Sequence, residues 1–411
     1  MRVNLTNNGE SIPYKGTGYN VLANIESNIL LNKGITDIGG FVIPQAVMSN
    51  NKDEAIERVF KSFLYFGFTF LSPFVLLPLI NKHNLKTSTL LKNLNNDELK
   101  ILEVSKKYLT KDAEYMKNGF KTTAKDLFGD ENRFNSVLEK YSDHEKLRTD
   151  LIKAHCKILG TDFISTNLMV ASIPWLGNAL TKYRTKRSGY SGTYNLADEE
   201  FTMQNAKKHD KSKSLRQICT LASALIPGII IPMALKKGML AGNCKSGNRI
   251  TDLFNKNAQK FDYKNAIFMS RATALTMWIT SDYIPYQLAC RDKYELKDNT
   301  IRGGCIGLVF WGGDLVLKKL FAKTSDRLFG TKMLNKTDNS VYSLKQIKDT
   351  KTRKAAAALY FLNLLLVTGT LGFGLPAILN KILKKNVEKD KGINKNFFTN
   401  DLNSYISSLQ K

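Results

Sequence analysis

The chain has 411 residues, with 61 Lys and Arg against 36 Asp and Glu, for a formal net charge of +25. That length allows two or three ordinary domains, or one polytopic membrane bundle with a soluble module. The five cysteines, Cys156, Cys219, Cys244, Cys290 and Cys305, include no Cys-x-x-Cys pair, which argues against a disulfide framework or a zinc site and for free thiols in a reducing compartment.

The mean hydropathy, −0.24, is that of a soluble protein. The average conceals blocks of apolar residues with the charges gathered between them. A bilayer selects that pattern, because its hydrocarbon core excludes charge and holds runs of ~20 apolar residues as helix. Basic loops beside anionic headgroups gain ~1 kcal/mol per Lys or Arg near the surface. A nucleic-acid partner is disfavoured, since no nucleic-acid motif is present. Plain lysine-rich composition is the remaining explanation of the charge.

Residues 1–36 form a polar N-terminal arm, and no apolar h-region follows Arg2. No cleavable secretory signal is read there, so the first apolar block is expected to act as the insertion signal. Residues 37–82 are the first membrane region. Within it, 38–48 is too short to span, and 62–80 holds 19 residues without a charge, with Pro73 and Pro78 as expected helix kinks.

Residues 83–161 read as a soluble helical module. Asp143 opens a helix with Leu147, Leu151, Ala154, His155 and Ile158 on one stripe, and Gly160 is placed to end it. His155 on that stripe is expected to be packed and hydrogen-bonded.

Residues 162–385 are expected to hold the remaining membrane helices, joined by basic loops. Block 163–181 is uncharged but carries Ser165, Thr166, Asn167 and Asn178. The acids Asp198, Glu199 and Glu200 cap and open a helix. Block 217–235, with kinks expected at Pro227 and Pro232, is closed by Lys236 and Lys237. Block 265–290 is interrupted by Arg271 and Asp282, and block 303–317 by Asp314. Block 355–380 runs 26 residues without a charge and carries a kink site at Pro376; a polar tail, 386–411, follows. Basic residues flank nearly every block on both sides, so the positive-inside rule gives no orientation.

Six of the nine prolines follow isoleucine. Three of these sites, Ile43-Pro44, Ile173-Pro174 and Ile284-Pro285, carry a lysine eight residues after the proline, which suggests an internal repeat. Repeats matter because transporter folds are often built from them. Ionisable residues inside apolar blocks each need a reason, so Asp314, Arg271 and Asp282 are the candidate intramembrane polar residues. Lys318, four residues after Asp314, is a partner at helical spacing. Gly303 and Gly307 form a Gly-x-x-x-Gly, and Trp175, Trp278 and Trp311 read as interface or packing residues. No catalytic, metal or cofactor signature is present: no HExxH, GxxxxGK[ST], GxSxG or GxGxxG occurs.

The expected fold is an all-α polytopic helical membrane protein of three to six membrane segments, with a soluble helical insertion. The expected function is a non-enzymatic membrane scaffold or interaction protein, its basic loops facing anionic lipid. A protein partner or self-association would complete it, and a bacterial inner (cytoplasmic) membrane is the expected location. The alternative is a small-solute transporter or channel built from repeats of proline-kinked helices. A membrane-bound enzyme acting on lipid and a soluble all-α protein are the further rivals.

Overall fold

The computed structural model describes residues 17–27, 32, 34–71, 79, 98–103, 105–128, 138, 139, 141, 143–242, 247–261, 270–309, 314–335 and 340–409. Among these the chain is helical nearly throughout, and the only extended pairing is one isolated bridge between Leu334 and Val341. The main helices are α1 (Thr17–Ser27), α2 (Lys52–Phe66), α3 (Ala113–Phe128), α4 (His144–Thr185), α5 (Glu199–Asp210), α6 (Lys213–Ala241), α7 (Arg249–Lys256), α8 (Arg271–Trp278), α9 (Lys293–Gly307), α10 (Asp314–Phe329), α11 (Thr350–Val367) and α12 (Leu375–Leu409).

Short polar side chains start many of these helices. Asn51 accepts from the Glu54 N–H at 2.9 Å, Asp143 from Lys146 at 2.9 Å, Asp198 from Phe201 at 3.0 Å and Asp349 from Thr352 at 2.8 Å. Each cap satisfies an amide that the first turn leaves unpaired, worth ~1 kcal/mol. The expected starts at Asp143 and Asp198 are therefore found.

The chain divides into two compact units, residues 45–306 with 375–411, and residues 1–44 with 307–374. In the first, α4 is the central helix. The α2 helix runs antiparallel to it, since Glu57 meets Thr181 while Lys61 meets Asn178. The α6 helix is also antiparallel, with Trp175 on Thr220, Asn167 on the Ala224 carbonyl and Arg148 on the Met239 carbonyl. The segment from α8 to Leu288 runs parallel to α4, with Asn167 on Thr280 and Asn178 on the Ala289 carbonyl.

Gly160 does not end the helix begun at Asp143. The α4 helix runs on unbroken to Thr185 and stops at Lys186, which takes the left-handed conformation (φ 59°). The reason is the α6 crossing. A Cβ at Gly160 would stand 3.1 Å from the Gly228 carbonyl, and one at Gly228 would stand 2.7 Å from Ile164 Cγ1. The glycines serve close helix approach rather than termination. The polar residues of block 163–181 are explained in the same way: Asn167, Asn178 and Thr181 bond across to neighbouring helices.

The stripe expected on α4 is buried at Leu147, Leu151, His155 and Ile158. It joins a core with Met116 and Phe120 of α3, Leu235 and Met239 of α6, and Met277. The described part of 83–161 thus shares its core with the C-terminal half of α6. His155 is buried as expected, but its Nε2 has no hydrogen-bond partner, a correction to the bonded state the stripe implied.

In the smaller unit, α1, α10 and α11 gather around Leu22, Ala23, Ala322, Met333, Leu344, Ile347 and Ala356. The π-helical segments Gly34–Val42 and Thr368–Gly374 meet through glycines: a Cβ at Gly372 would stand 2.6 Å from the Gly40 carbonyl.

Besides the π turn that begins at residues 308–309, π-helical segments among the described residues are Gly34–Val42, Gly67–Leu71, Ile279–Tyr283 and Thr368–Gly374. Each of these last four ends two residues before a proline: Pro44, Pro73, Pro285 and Pro376. Proline offers no N–H and its ring crowds the carbonyl four residues back, and a wider turn upstream relieves both. Pro174, Pro227 and Pro232 instead lie inside unbroken α-helix. Pro73 and Pro78 themselves lie outside the described residues.

Two helices are long and apolar enough to cross a membrane, Lys213–Ala241 and Thr350–Gly392. Only 28% of the apolar stretch of each is buried, whereas the core helix of a water-soluble bundle is buried through most of its length.

Candidate functional site

The α2 helix presents Glu54, Glu57, Arg58 and Lys61 at spacings of three and four, which puts them on one face. The α9 helix and the residue before its cap do the same with Arg291, Glu295, Asp298 and Arg302. The bundle brings these two mixed-sign stripes together, with Tyr190 and Ser191 from the turn after α4 between them.

Arg291 is the joint. Its guanidinium donates to Glu57 Oε1 at 2.7 Å and Oε2 at 3.0 Å, and to Glu295 Oε1 and Oε2, both at 2.9 Å. Glu57 also accepts from Lys61 at 2.6 Å, Thr181 at 2.7 Å and Ser191 at 2.8 Å. Glu54 takes the Asn50 amide at 2.7 Å, the Tyr190 hydroxyl at 3.0 Å and the Arg58 guanidinium. Asp298 pairs bidentately with Arg302 at 3.0 Å. Asp292 caps α9 through the Tyr294 and Glu295 amides, both at 2.9 Å, and takes the Tyr190 amide at 3.0 Å.

Glu54, Glu57, Asp292, Glu295 and Asp298 are all buried. Burial alone would raise the Glu57 carboxyl, but Arg291 and Lys61 beside it hold it well below the usual carboxylate range. Burial likewise opposes ionisation of Asp298, and Arg302 and Arg58 outweigh it, leaving that group lowered too. Both oxygens of Glu57 and of Glu295 are filled, so neither carboxylate is poised as a base or a nucleophile. The arrangement ties α2, the end of α4, the 186–198 turn and α9 into one rigid end of the bundle.

The second feature of the site is the outer face of α6. Thr220, Ala224, Gly228, Leu235 and Met239 form its buried stripe. On the other side Ile218, Leu221, Ile226, Ile229, Ile230 and Met233 are exposed. At one end of this face stands Arg216, half-buried and donating to the Leu288, Cys290 and His209 carbonyls, and at the other the exposed Lys236, 20 residues and therefore about 30 Å away along the helix, the thickness of a bilayer's hydrocarbon core. Exposed lysines lie beyond both ends: Lys211 and Lys213 on the side of the charge cluster, Lys236 and Lys237 on the other.

The three polar residues singled out from sequence are not brought together into a site. Arg271 is the first residue of α8, behind the Ser270 cap, and is exposed. Asp282 lies in the π-helical turn Ile279–Tyr283, whose i→i+5 bonding shifts it from the face an unbroken helix would give it relative to Arg271. Asp314 opens α10, and the pairing of its carboxylate with Lys318 falls outside the described residues. Gly303 meets a ring rather than a backbone, since a Cβ there would stand 2.6 Å from Tyr283 Cδ2. Trp175 bonds Thr220 at 3.4 Å and Trp278 lies on Tyr283 at 5.5 Å between centroids, both packing roles; Trp311 lies outside the described residues.

The charge cluster was missed at the level of sequence because its residues sit outside the apolar blocks. The signal that finds it is the pair of stripes E-x-x-E-R-x-x-K from Glu54 and R-x-x-x-E-x-x-D-x-x-x-R from Arg291. No group of His, Cys, Asp and Glu suited to holding a metal ion occurs among the described residues. Comparison with protein-family models, curated proteins and solved structures finds no match.

Proposed function

We propose that this chain is a non-enzymatic membrane scaffold: a helical bundle that crosses the bilayer and offers basic loops to anionic headgroups. The observation that carries this reading is the outer face of α6, apolar over about 30 Å and bracketed by basic residues at both ends. An apolar face of that length left open to water would drive association or aggregation, and hydrocarbon satisfies it. With α6 as the fixed span, α4 and the segment from α8 to Leu288 cross beside it, α2 enters from the cluster end, and Thr350–Gly392 adds a further span. The charge cluster then lies beyond one face of the membrane, and the core of α3 with the start of α4 beyond the other.

The cluster supports a structural role over a catalytic one, because its carboxylates are taken up by fixed cations, hydroxyls and backbone amides. The free thiols at Cys156, Cys219, Cys290 and Cys305 fit a reducing compartment, in keeping with a bacterial cytoplasmic membrane. A transporter is the second reading. It is favoured by the four proline-linked π segments, a feature common at functional sites in helices.

The test is extraction from membranes of cells expressing the full chain. Resistance to high salt and alkaline wash, with release by detergent, is expected. Release by the wash alone would reduce the apolar blocks to protein core and overturn both readings.

A further inference from the structure

We propose that α7 is an interfacial anchor that lies in the headgroup layer of an anionic bilayer at the Lys236–Lys237 end of α6. This rests on the membrane reading of α6 and adds the lipid-binding element to it.

The α7 helix is short and sharply two-sided. Phe254 packs inward against the core and lies 5.9 Å from Phe261, ring to ring, while Ala258 beyond it is fully buried. Ile250, one turn before Phe254 on the same apolar side, and Leu253 beside it are 64% and 59% exposed, so that side runs from the core out to the surface. Arg249, Lys256 and Lys260 are exposed around them, and Asp252 is half-buried. Two aliphatic side chains at one turn's spacing inside a basic ring have the composition of a helix lying in a membrane interface.

The depth of α7 is fixed by its seat on α6. A Cβ at Gly238 would come 2.8 Å from the Thr251 carbonyl and 2.9 Å from the Asn255 amide, so the α7 backbone rests on α6 one residue past Lys237. Asn255 also donates to the Gly242 carbonyl at 3.1 Å. The helix is thereby held where the apolar face ends and headgroups begin. Ile250 and Leu253 are positioned to enter the upper acyl region, and Arg249, Lys256, Lys236 and Lys237 to meet lipid phosphates. The sign of the exposed charge selects anionic lipid.

The test uses the full chain in vesicles, in a background with Cys219, Cys244 and Cys305 replaced by Ser. An environment-sensitive fluorophore is attached at Leu253→Cys and, for comparison, at Lys121→Cys on α3. In vesicles containing phosphatidylglycerol, the Leu253 probe is expected to be severalfold more quenched by lipid bearing a shallow acyl-chain nitroxide, and severalfold less by aqueous iodide, than the Lys121 probe. The double change Arg249→Glu with Lys256→Glu is expected to open the Leu253 probe to iodide while the protein stays resistant to alkaline wash. A wash-resistant protein whose Leu253 probe is as open to iodide as Lys121 would overturn the anchor and leave the membrane reading standing. Shielding that persists in detergent and rises with protein concentration would assign this face to a second copy and also overturn it. Protein washed off the vesicles would end both.

Discussion

Glu57 is the residue on which the charge cluster turns. Removing one partner of a buried pair leaves the other charge desolvated and unmatched, at a cost of ~3–5 kcal/mol. Glu57→Gln is therefore expected to lower stability by about that much in detergent-solubilised protein. Glu57→Gln combined with Arg291→Gln is expected to cost clearly less than the sum of the two single changes, measured by a double-mutant cycle in denaturant. Strict additivity would mean that Arg291 is not the joint between α2 and α9. The pH dependence follows from the same groups. Glu57 and Asp298 are held below their unfolded values, so their contribution is present above the ordinary carboxylate range and is lost as pH falls through their lowered values.

His155 acts in a different window. Burial, with the Lys106 ammonium adding to it, lowers its pKa to about 3, so the folded imidazole stays neutral where the unfolded one takes a proton. Stability is expected to fall by about 1.4 kcal/mol per unit between the ordinary histidine pKa and about 3. His155→Leu is expected to flatten that slope near pH 5.5, which equilibrium unfolding at several pH values reads directly. An unchanged slope would mean that His155 carries no part of it.

At the scale of elements, the glycine crossings discriminate close packing from mere flexibility. A methyl at Gly372 would collide with the Gly40 carbonyl, a backbone atom that cannot rotate away, whereas nothing lies within 4 Å of a Cβ at Gly39. Gly372→Ala is expected to cost ~1–3 kcal/mol and Gly39→Ala close to nothing, read as shifts in thermal midpoint. Equal effects would remove the Gly40–Gly372 contact from the description. Much at this scale was legible beforehand. The caps at Asp143 and Asp198, the stripe from Leu147 to Ile158 and the apolar runs of α6 and α11 all follow local rules of capping and periodicity. Gly160 was not legible, because whether a glycine ends a helix or admits a neighbour depends on a partner, Gly228, that lies 68 positions away. The π segments were equally hidden: Pro44 and Pro174 share an Ile-Pro signature, yet only the first follows a π turn.

For the whole molecule, the sequence and the fold agree on helices and on apolar blocks, and the bundle around α4 supplies what periodicity omits. Polar residues inside block 163–181 face protein, and the aliphatic face of α6 is exposed. Within the larger unit, the charge cluster lies at one end of α6 and the shared core of α3, α4 and α6 at the other. The most direct test is sided labelling of two single-cysteine variants, Lys213→Cys and Lys237→Cys, in sealed membranes and with a membrane-impermeant thiol reagent. Labelling of the two positions from opposite sides, each blocked until its own side is opened, is the expected result. Labelling of both from the same side would contradict the spanning bundle and return α6 to the surface of a protein that does not cross the membrane there.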